Sequence, residues 1–224
     1  METLIEFEGA SIGYDEDLPL ISPLTLSLNK GEHCLIMGDS GVGKSALVKT
    51  IMGILSLWEG SYRAFERGME SPSEPLLSYV RKKIGLLPDR GILLQNMSVF
   101  QNIALPMRFG HFYSAEKVRE QLEPYIEEFS LAPLLDLYPC DLNIDQIKKI
   151  GFVRAILNDP DLLLLDDPYE GLDDEGFEKM NRSLKNIAEK GATTILALSR
   201  KGVVRPPYFR NVLRLTQDGL TEIL

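Results

Sequence analysis

Apolar and polar residues come in short runs through the first third of the chain. Residues 4–7, 24–28 and the apolar run 34–37 each predict a short strand. Residues 44–55 carry apolar and small side chains at helical spacing, with Gly53 tolerated inside the helix. Gly60 opens a strand-like stretch through Tyr62, and 84–87 predicts another short buried strand. From Phe100 to about Leu131 the pattern is helical, interrupted near residues 106–110, with charge and apolar positions mixed over 116–129. Residues 144–157 predict an amphipathic helix, and 162–165 are four leucines of the kind buried on both faces of a sheet. A charged helix follows over 175–190, with Gly191 as its C-cap, then a buried strand over 193–198. The tail predicts a hairpin, 212–216 and 220–224, turned at Gln217-Asp218-Gly219. Strands alternating with helices imply an α/β sheet, to which the early strands and the hairpin add antiparallel pieces. Residues from about 98 to 142 have little strand signal and form a candidate helical subdomain.

Composition narrows the function more than the fold. The 224 residues suit one large domain, or one domain with an insertion, and 44% hydrophobic with 25% charged is ordinary for a packed globule. No apolar run approaches the ~18–20 residues of a membrane span. Acid at the start of the chain, Met-Glu-Thr-Leu, argues against a secretion signal. Lys and Arg total 24 against 33 Asp and Glu, a net charge of −9, which argues against broad nucleic-acid binding and against holding an anionic lipid surface by charge alone. Cys34 and Cys140 read as free, buried or half-buried thiols of a reducing compartment. His33 and His111, the two histidines, offer no zinc spacing, which removes metallohydrolase and histidine-triad chemistry.

The strongest chemical signal is Gly38-Asp39-Ser40-Gly41-Val42-Gly43-Lys44-Ser45, a full G-x-x-x-x-G-K-[ST] phosphate loop between a buried strand and a helix. Its glycines let the backbone close around phosphate oxygens, and the following helix aims free N–H groups at them. Lys44 then reaches the β- and γ-phosphates and Ser45 ligates Mg²⁺. The second half of such a site is a carboxylate ending a buried strand, which Asp166 supplies after its four leucines. These residues predict binding of ATP or GTP. The guanine-reading Asn-Lys-x-Asp is absent, and no basic lid of the kind a small-molecule kinase needs is present beyond Arg81-Lys82-Lys83.

The run from Asn158 to Pro168, followed by Gly171-Leu172-Asp173, resembles the Walker B segment and D-loop of ABC-transporter ATPases. Val153-Arg154-Ala155-Ile156 resembles the helix that follows their signature, and Tyr14 stands where the family stacks an aromatic ring on adenine. The stretch from Gly91 to Arg108 is most similar to the Mla/Mce type, which moves phospholipid across the bacterial envelope. The resemblance implies one ABC ATPase domain over 1–224: a P-loop NTPase core with a mixed sheet, an antiparallel β edge and a helical subdomain at about 98–142. It implies ATP and Mg²⁺ as ligands, a second ATPase subunit (the same chain or another), and an integral membrane permease. It implies a cytoplasmic location, peripheral on the inner face of the membrane. Residues 91–106 would line the docking cleft for the permease, with Ile92, Leu93, Leu94, Met97 and Phe100 as its apolar groups.

The departures from the family pattern are as informative. Its LSGGQ signature corresponds here to Leu142-Asn143-Ile144-Asp145-Gln146, where a branched side chain and a carboxylate replace two glycines. Asn143 and Gln146 have capping-box spacing, so the helix caps itself rather than presenting N–H groups to a nucleotide on a second subunit. The catalytic glutamate is Asp167, one methylene shorter. The Q-loop glutamine is Asp89, which retains oxygen for Mg²⁺ or water, and the switch histidine is Arg200, which holds phosphate by charge and relays no proton. Together they predict ATP binding with weak or absent hydrolysis. The alternative is an ABC-like regulator or scaffold that gates a partner without turnover.

Overall fold

The computed structural model describes residues 2–15, 18–111, 113–200 and 206–223. Leu224, which closes the predicted hairpin, lies outside these residues.

Two sheets and a helical layer stack around two apolar cores. The first sheet is antiparallel, built from β1 (Thr3–Ile12), β2 (Ile21–Asn29), β4 (Leu57–Ala64) and β5 (Arg67–Gly68) in the order β2-β1-β4-β5. The second contains β3 (Cys34–Gly38), β6 (Ile84–Leu87), β7 (Leu162–Asp166), β8 (Thr194–Ser199), β9 (Asn211–Thr216) and β10 (Gly219–Glu222), in the order β10-β9-β3-β8-β7-β6. Its five strands from β9 to β6 are parallel, and β10 adds an antiparallel edge. The fold is the expected α/β class: a mixed sheet with antiparallel strands and helices.

The central strands are apolar on both faces because both are covered. Leu162, Leu164, Leu196 and Leu198 point into the core shared with the antiparallel sheet and α1 (Lys44–Ile51). Leu163, Leu165, Ile195 and Ala197 point into the core shared with α3 (Val99–His111), α4 (Ala115–Glu128), α5 (Ile144–Ile156) and α6 (Asp174–Lys190). The phenol of Tyr62, stacked on Phe7 with ring centroids 4.2 Å apart, donates to the carbonyl of Ile51 at 2.9 Å, and this pins the end of α1 to the antiparallel sheet. α5 lies directly on backbone. A methyl at Gly85 of β6 would stand 2.0 Å from the carbonyl oxygen of Ala155, and one at Gly151 would stand 2.7 Å from that of Gly91.

Several boundaries differ from the sequence expectation. α1 ends at Ile51, and Gly53 sits beyond it at φ +62, where it ends the helix rather than being tolerated inside. α3 runs through Pro106, so the break falls between His111 and Ala115, not at 106–110. α2 (Glu74–Lys83), capped by Ser73, was not expected from the pattern. α5 is not simply amphipathic: most of it is buried, including Lys148 and Lys149. Cys140 is exposed, whereas Cys34 is buried as expected. No described helix is long and apolar enough to cross a membrane.

Candidate functional site

The phosphate loop joins β3 to α1 as its sequence dictates. Gly41 and Gly43 adopt φ +80 and +111, which only glycine takes without strain. The Lys44 ammonium is drawn back into the loop, donating to the carbonyls of Gly38 at 3.1 Å and Asp39 at 3.2 Å. Between the glycines Ser40 is exposed, and half-buried Val42 packs back toward Gly38. Strand β7, separated from β3 by β8, delivers Asp166 to the first turn of α1, where the Ser45 hydroxyl donates to its Oδ2 at 2.8 Å.

The other oxygen of Asp166 is buried with no hydrogen-bond partner. Burial holds this carboxyl above its ordinary range, the charges of Asp167 and Asp89 push the same way, and the Ser45 bond opposes them. A lone buried carboxylate oxygen beside a serine hydroxyl and a phosphate loop suits a hard divalent cation, so the residues fit Mg²⁺ with Ser45 and Asp166 as protein ligands.

Asp167 follows at φ +43, an uncommon conformation for a non-glycine residue. Its N–H donates to the carbonyl of Leu198 at 2.8 Å, and its Oδ1 accepts from the backbone N–H of Arg200 at 2.9 Å. Its Oδ2 stands 4.0 Å from Lys44 Nζ and 3.8 Å from Arg200 Nε. The Arg200 guanidinium also pairs with Glu170 at 2.7 Å, so its charge is engaged by carboxylates of its own chain. Carboxylate oxygens of Asp89, Asp167 and Glu170 all lie within 4.8 Å of one another. The predicted Lys44, Ser45, Asp89, Asp166, Asp167 and Arg200 therefore converge on one place. Tyr14, in the loop after β1, is exposed and meets α1 at Lys49, its hydroxyl accepting from that ammonium at 2.9 Å and its ring centroid 5.1 Å from it.

Pattern reading missed Lys148 and Glu170. Lys148 is 1% exposed, and its ammonium donates to the carbonyl of Asp89 and, at 3.4 Å, to that of Asp166. Burial pushes this lysine down to about 8, against the pull of Asp89, Asp166, Asp167 and Glu170. A signal existed: Lys148 shares a helical stripe with Phe152 and Ala155, four and seven residues on, and both are buried.

The segment at 142–146 folds as its spacing predicts. Asn143 Oδ1 accepts from Gln146 N–H at 2.8 Å, and Gln146 Oε1 accepts from Asn143 N–H at 3.0 Å. Ile144 is 68% exposed and leans over Gly171. Asp145 pairs with Lys149 at 2.6 Å and accepts from the N–H of Asp173 at 3.3 Å. Asp173 in turn caps α6 through Gly176 N–H at 2.6 Å.

A groove of about 1010 Å³ adjoins this site, lined by Ser45, Asp89 and Asp166 and by apolar residues that include Ile92, Leu94 and Leu105. Leu93 is buried in the helical core instead, and Met97 and Phe100 do not line the groove, so only Ile92 and Leu94 of the five expected apolar groups do so. The loop is fixed by Asn102, whose buried side chain bonds Leu94, Met97 and Ser98 backbone groups.

The chain is 32% identical over 181 residues to the methionine import ATP-binding protein MetN of Brucella abortus (strain 2308), 81% of this chain and 49% of that protein. It is 24% identical over 199 residues to the ergothioneine transport ATP-binding protein EgtV of Helicobacter pylori (strain G27), 89% of this chain and 91% of that one. It thus spans about half the length of the methionine-import relatives it matches. Its fold is that of the ATP-binding cassette MJ0796 in a dimeric structure bound to ADP and Pi, with TM-score 0.89 at 21% identity over 98% of both chains. These names lend no support to the phospholipid cargo that residues 91–108 suggested. The model of the ABC transporter family matches residues 21–170, and the chain belongs to that family.

Proposed function

We propose that this chain is the ATP-binding subunit of an ABC transporter, one that binds Mg²⁺–ATP and hydrolyses it slowly or not at all. One observation carries the binding half: an intact phosphate loop whose Ser45 holds Asp166 by one oxygen while the other has no partner. In this reading Gly38 to Ser45 cradle the phosphates, Lys44 leaves the loop carbonyls for the β- and γ-phosphates, and Tyr14 stacks on adenine. Mg²⁺, when bound, neutralises charge on the triphosphate; Ser45 and Asp166 hold it, with Asp89 nearby.

Impaired turnover is supported by what the remaining groups are already doing. Asp167 stands as the water-orienting carboxylate, yet it is short and is flanked by Lys44 and Arg200. Arg200 is bound to Glu170. The signature helix spends its cap on itself. Phosphate release by the purified chain, alone and with its membrane partner, tests this; turnover at ~1–100 per second would reject it. If Lys44→Ala abolishes biological output and Asp167→Asn does not, nucleotide acts as a ligand without being consumed, the regulator reading.

Further parts of the proposal follow from the family and the groove. Residues 1–224 form one ABC ATPase domain with a helical subdomain at about 98–142. The apolar groove receives a helix of an integral permease, which would hold the chain at the inner face of the membrane, and a second ATPase subunit faces the phosphate loop. The relatives' names favour a small imported solute such as methionine or ergothioneine as cargo over a phospholipid. Co-purification with an integral membrane protein from detergent extracts, lost on Leu94→Glu, tests the docking.

A further inference from the structure

Lys148 is the one cation of this site that is both buried and not part of the phosphate loop among the described residues. Lys44 is placed to serve phosphate, and the side chain of Arg200 is 52% exposed, so water screens it. The Lys148 ammonium, by contrast, is fixed by two carbonyls, those of Asp89 and Asp166, and feels the charges of Asp166 and of the Asp89, Asp167 and Glu170 carboxylates, which lie within 4.8 Å of one another. Lys44 and Arg200 offset two of these four carboxylates, so without Lys148 the cluster beside the phosphate loop is still net negative and repels a triphosphate, for which an ordinary remedy is a divalent cation arriving with the nucleotide.

We propose that Lys148 is a built-in counter-cation, a positioning residue that offsets part of this negative charge and so loosens the coupling between Mg²⁺ and nucleotide binding. The inference rests on the ATP-binding reading above. With Lys148 charged, ATP meets a partly neutralised cluster even without metal, and Mg²⁺ meets a partly occupied one. Without that charge, metal-free ATP, the more negative ligand, loses more affinity than the Mg²⁺–ATP complex does, so the dissociation constant in EDTA rises relative to that in Mg²⁺.

The test is calorimetry of ATP binding at pH 7, in EDTA and in excess Mg²⁺, comparing the ratio of the two dissociation constants. Lys148→Gln and Lys148→Met should each raise the ratio about tenfold, the size expected of one unit charge several ångströms away at intermediate dielectric. Adding Glu170→Gln to Lys148→Gln should bring the ratio back toward wild type, because it restores the charge balance and not the lost hydrogen bonds. If the Lys148 variants do not fold, Glu170→Gln alone, at an exposed residue, should lower the ratio. A ratio unmoved by Lys148→Gln, no rescue by Glu170→Gln, or a rise with Glu170→Gln alone overturns the counter-cation. Absence of ATP binding in both buffers overturns the nucleotide reading and this inference with it.

Discussion

Asp145 Oδ2 lies 2.6 Å from Lys149 Nζ, one turn along α5, while its Oδ1 accepts from the backbone N–H of Asp173. From the sequence, Asp145 looked like a carboxylate aimed at the phosphates of a second subunit. The structure shows its charge neutralised within its own chain and used to tie the start of α5 to the loop before α6. The negative charge that this segment presents outward is therefore smaller than residue type alone implied.

Breaking that tie should be felt in stability. Lys149→Met leaves Asp145 without its partner in a mostly buried place, which costs about 2–3 kcal/mol, below the fully buried range because Asp145 keeps some water. For a chain of this size the melting temperature should fall by roughly 4–10 °C. Asp145→Asn on the same background should recover part of the loss. Circular-dichroism melts of the three variants check it, and a Lys149→Met melt coincident with wild type would show the pair to be inert.

The self-capped start of α5 makes a smaller, separable prediction. Asn143→Ala removes the acceptor for Gln146 N–H and should cost about 1 kcal/mol, whereas Asn143→Ser, an equally good cap, should cost little. Denaturant titrations with equal slopes for both variants would report the difference as a shift in midpoint.

Asp166 is placed for a cation at the expense of the empty protein. Asp166→Asn should raise the melting temperature of the metal-free, nucleotide-free chain by roughly 2–4 °C, on the scale of about 1 kcal/mol. The pH dependence has a definite sign. The folded carboxyl titrates above its ordinary 3.8, so the folded chain holds a proton that the unfolded chain has released. Wild-type stability therefore falls relative to Asp166→Asn as pH rises from 3.8 through the folded value, and the gap is level beyond it. The same variant should lose the stabilisation that Mg²⁺–ATP gives wild type. Melts across pH, with and without ligand, test both; a gap that closes as pH rises contradicts the assignment.

The two thiols should separate cleanly. Burial pushes Cys34 up to about 12, leaving it a thiol at neutral pH, while Cys140 is exposed. A maleimide should modify the native protein once, at Cys140, and twice after denaturation, as mass spectrometry of peptides will show.

The parts of this molecule legible in the sequence are those with local signatures. The phosphate loop, the four leucines of β7, the Asn143–Gln146 cap and the Gly191 helix stop are each set by residues within a few positions of one another, and each forms as its spacing implies. The parts that were not legible depend on distant partners. α2 is an exception, because Ser73 as cap, Pro75 in the first turn and Leu76, Leu77 and Val80 at helical spacing are a local signature that the pattern reading passed over. Pro106 reads as a break because the sequence does not reveal the surrounding packing that carries α3 past it. The burial of Lys148 is readable from its stripe with Phe152 and Ala155, but its partners, the Asp89 and Asp166 carbonyls, come from distant segments and are not. Arg200 reads as a phosphate ligand until Glu170 is seen beside it.

The bare backbone contacts under α5 have a mechanical outcome. At Gly85 and Gly151, though not along the rest of its face, no side chain separates this helix from the segments it rests on. At those two places the helix cannot shift toward β6 or the turn at Gly91 without main-chain contact. A side chain grown at either glycine would therefore prise α5 off its bed rather than be absorbed by it.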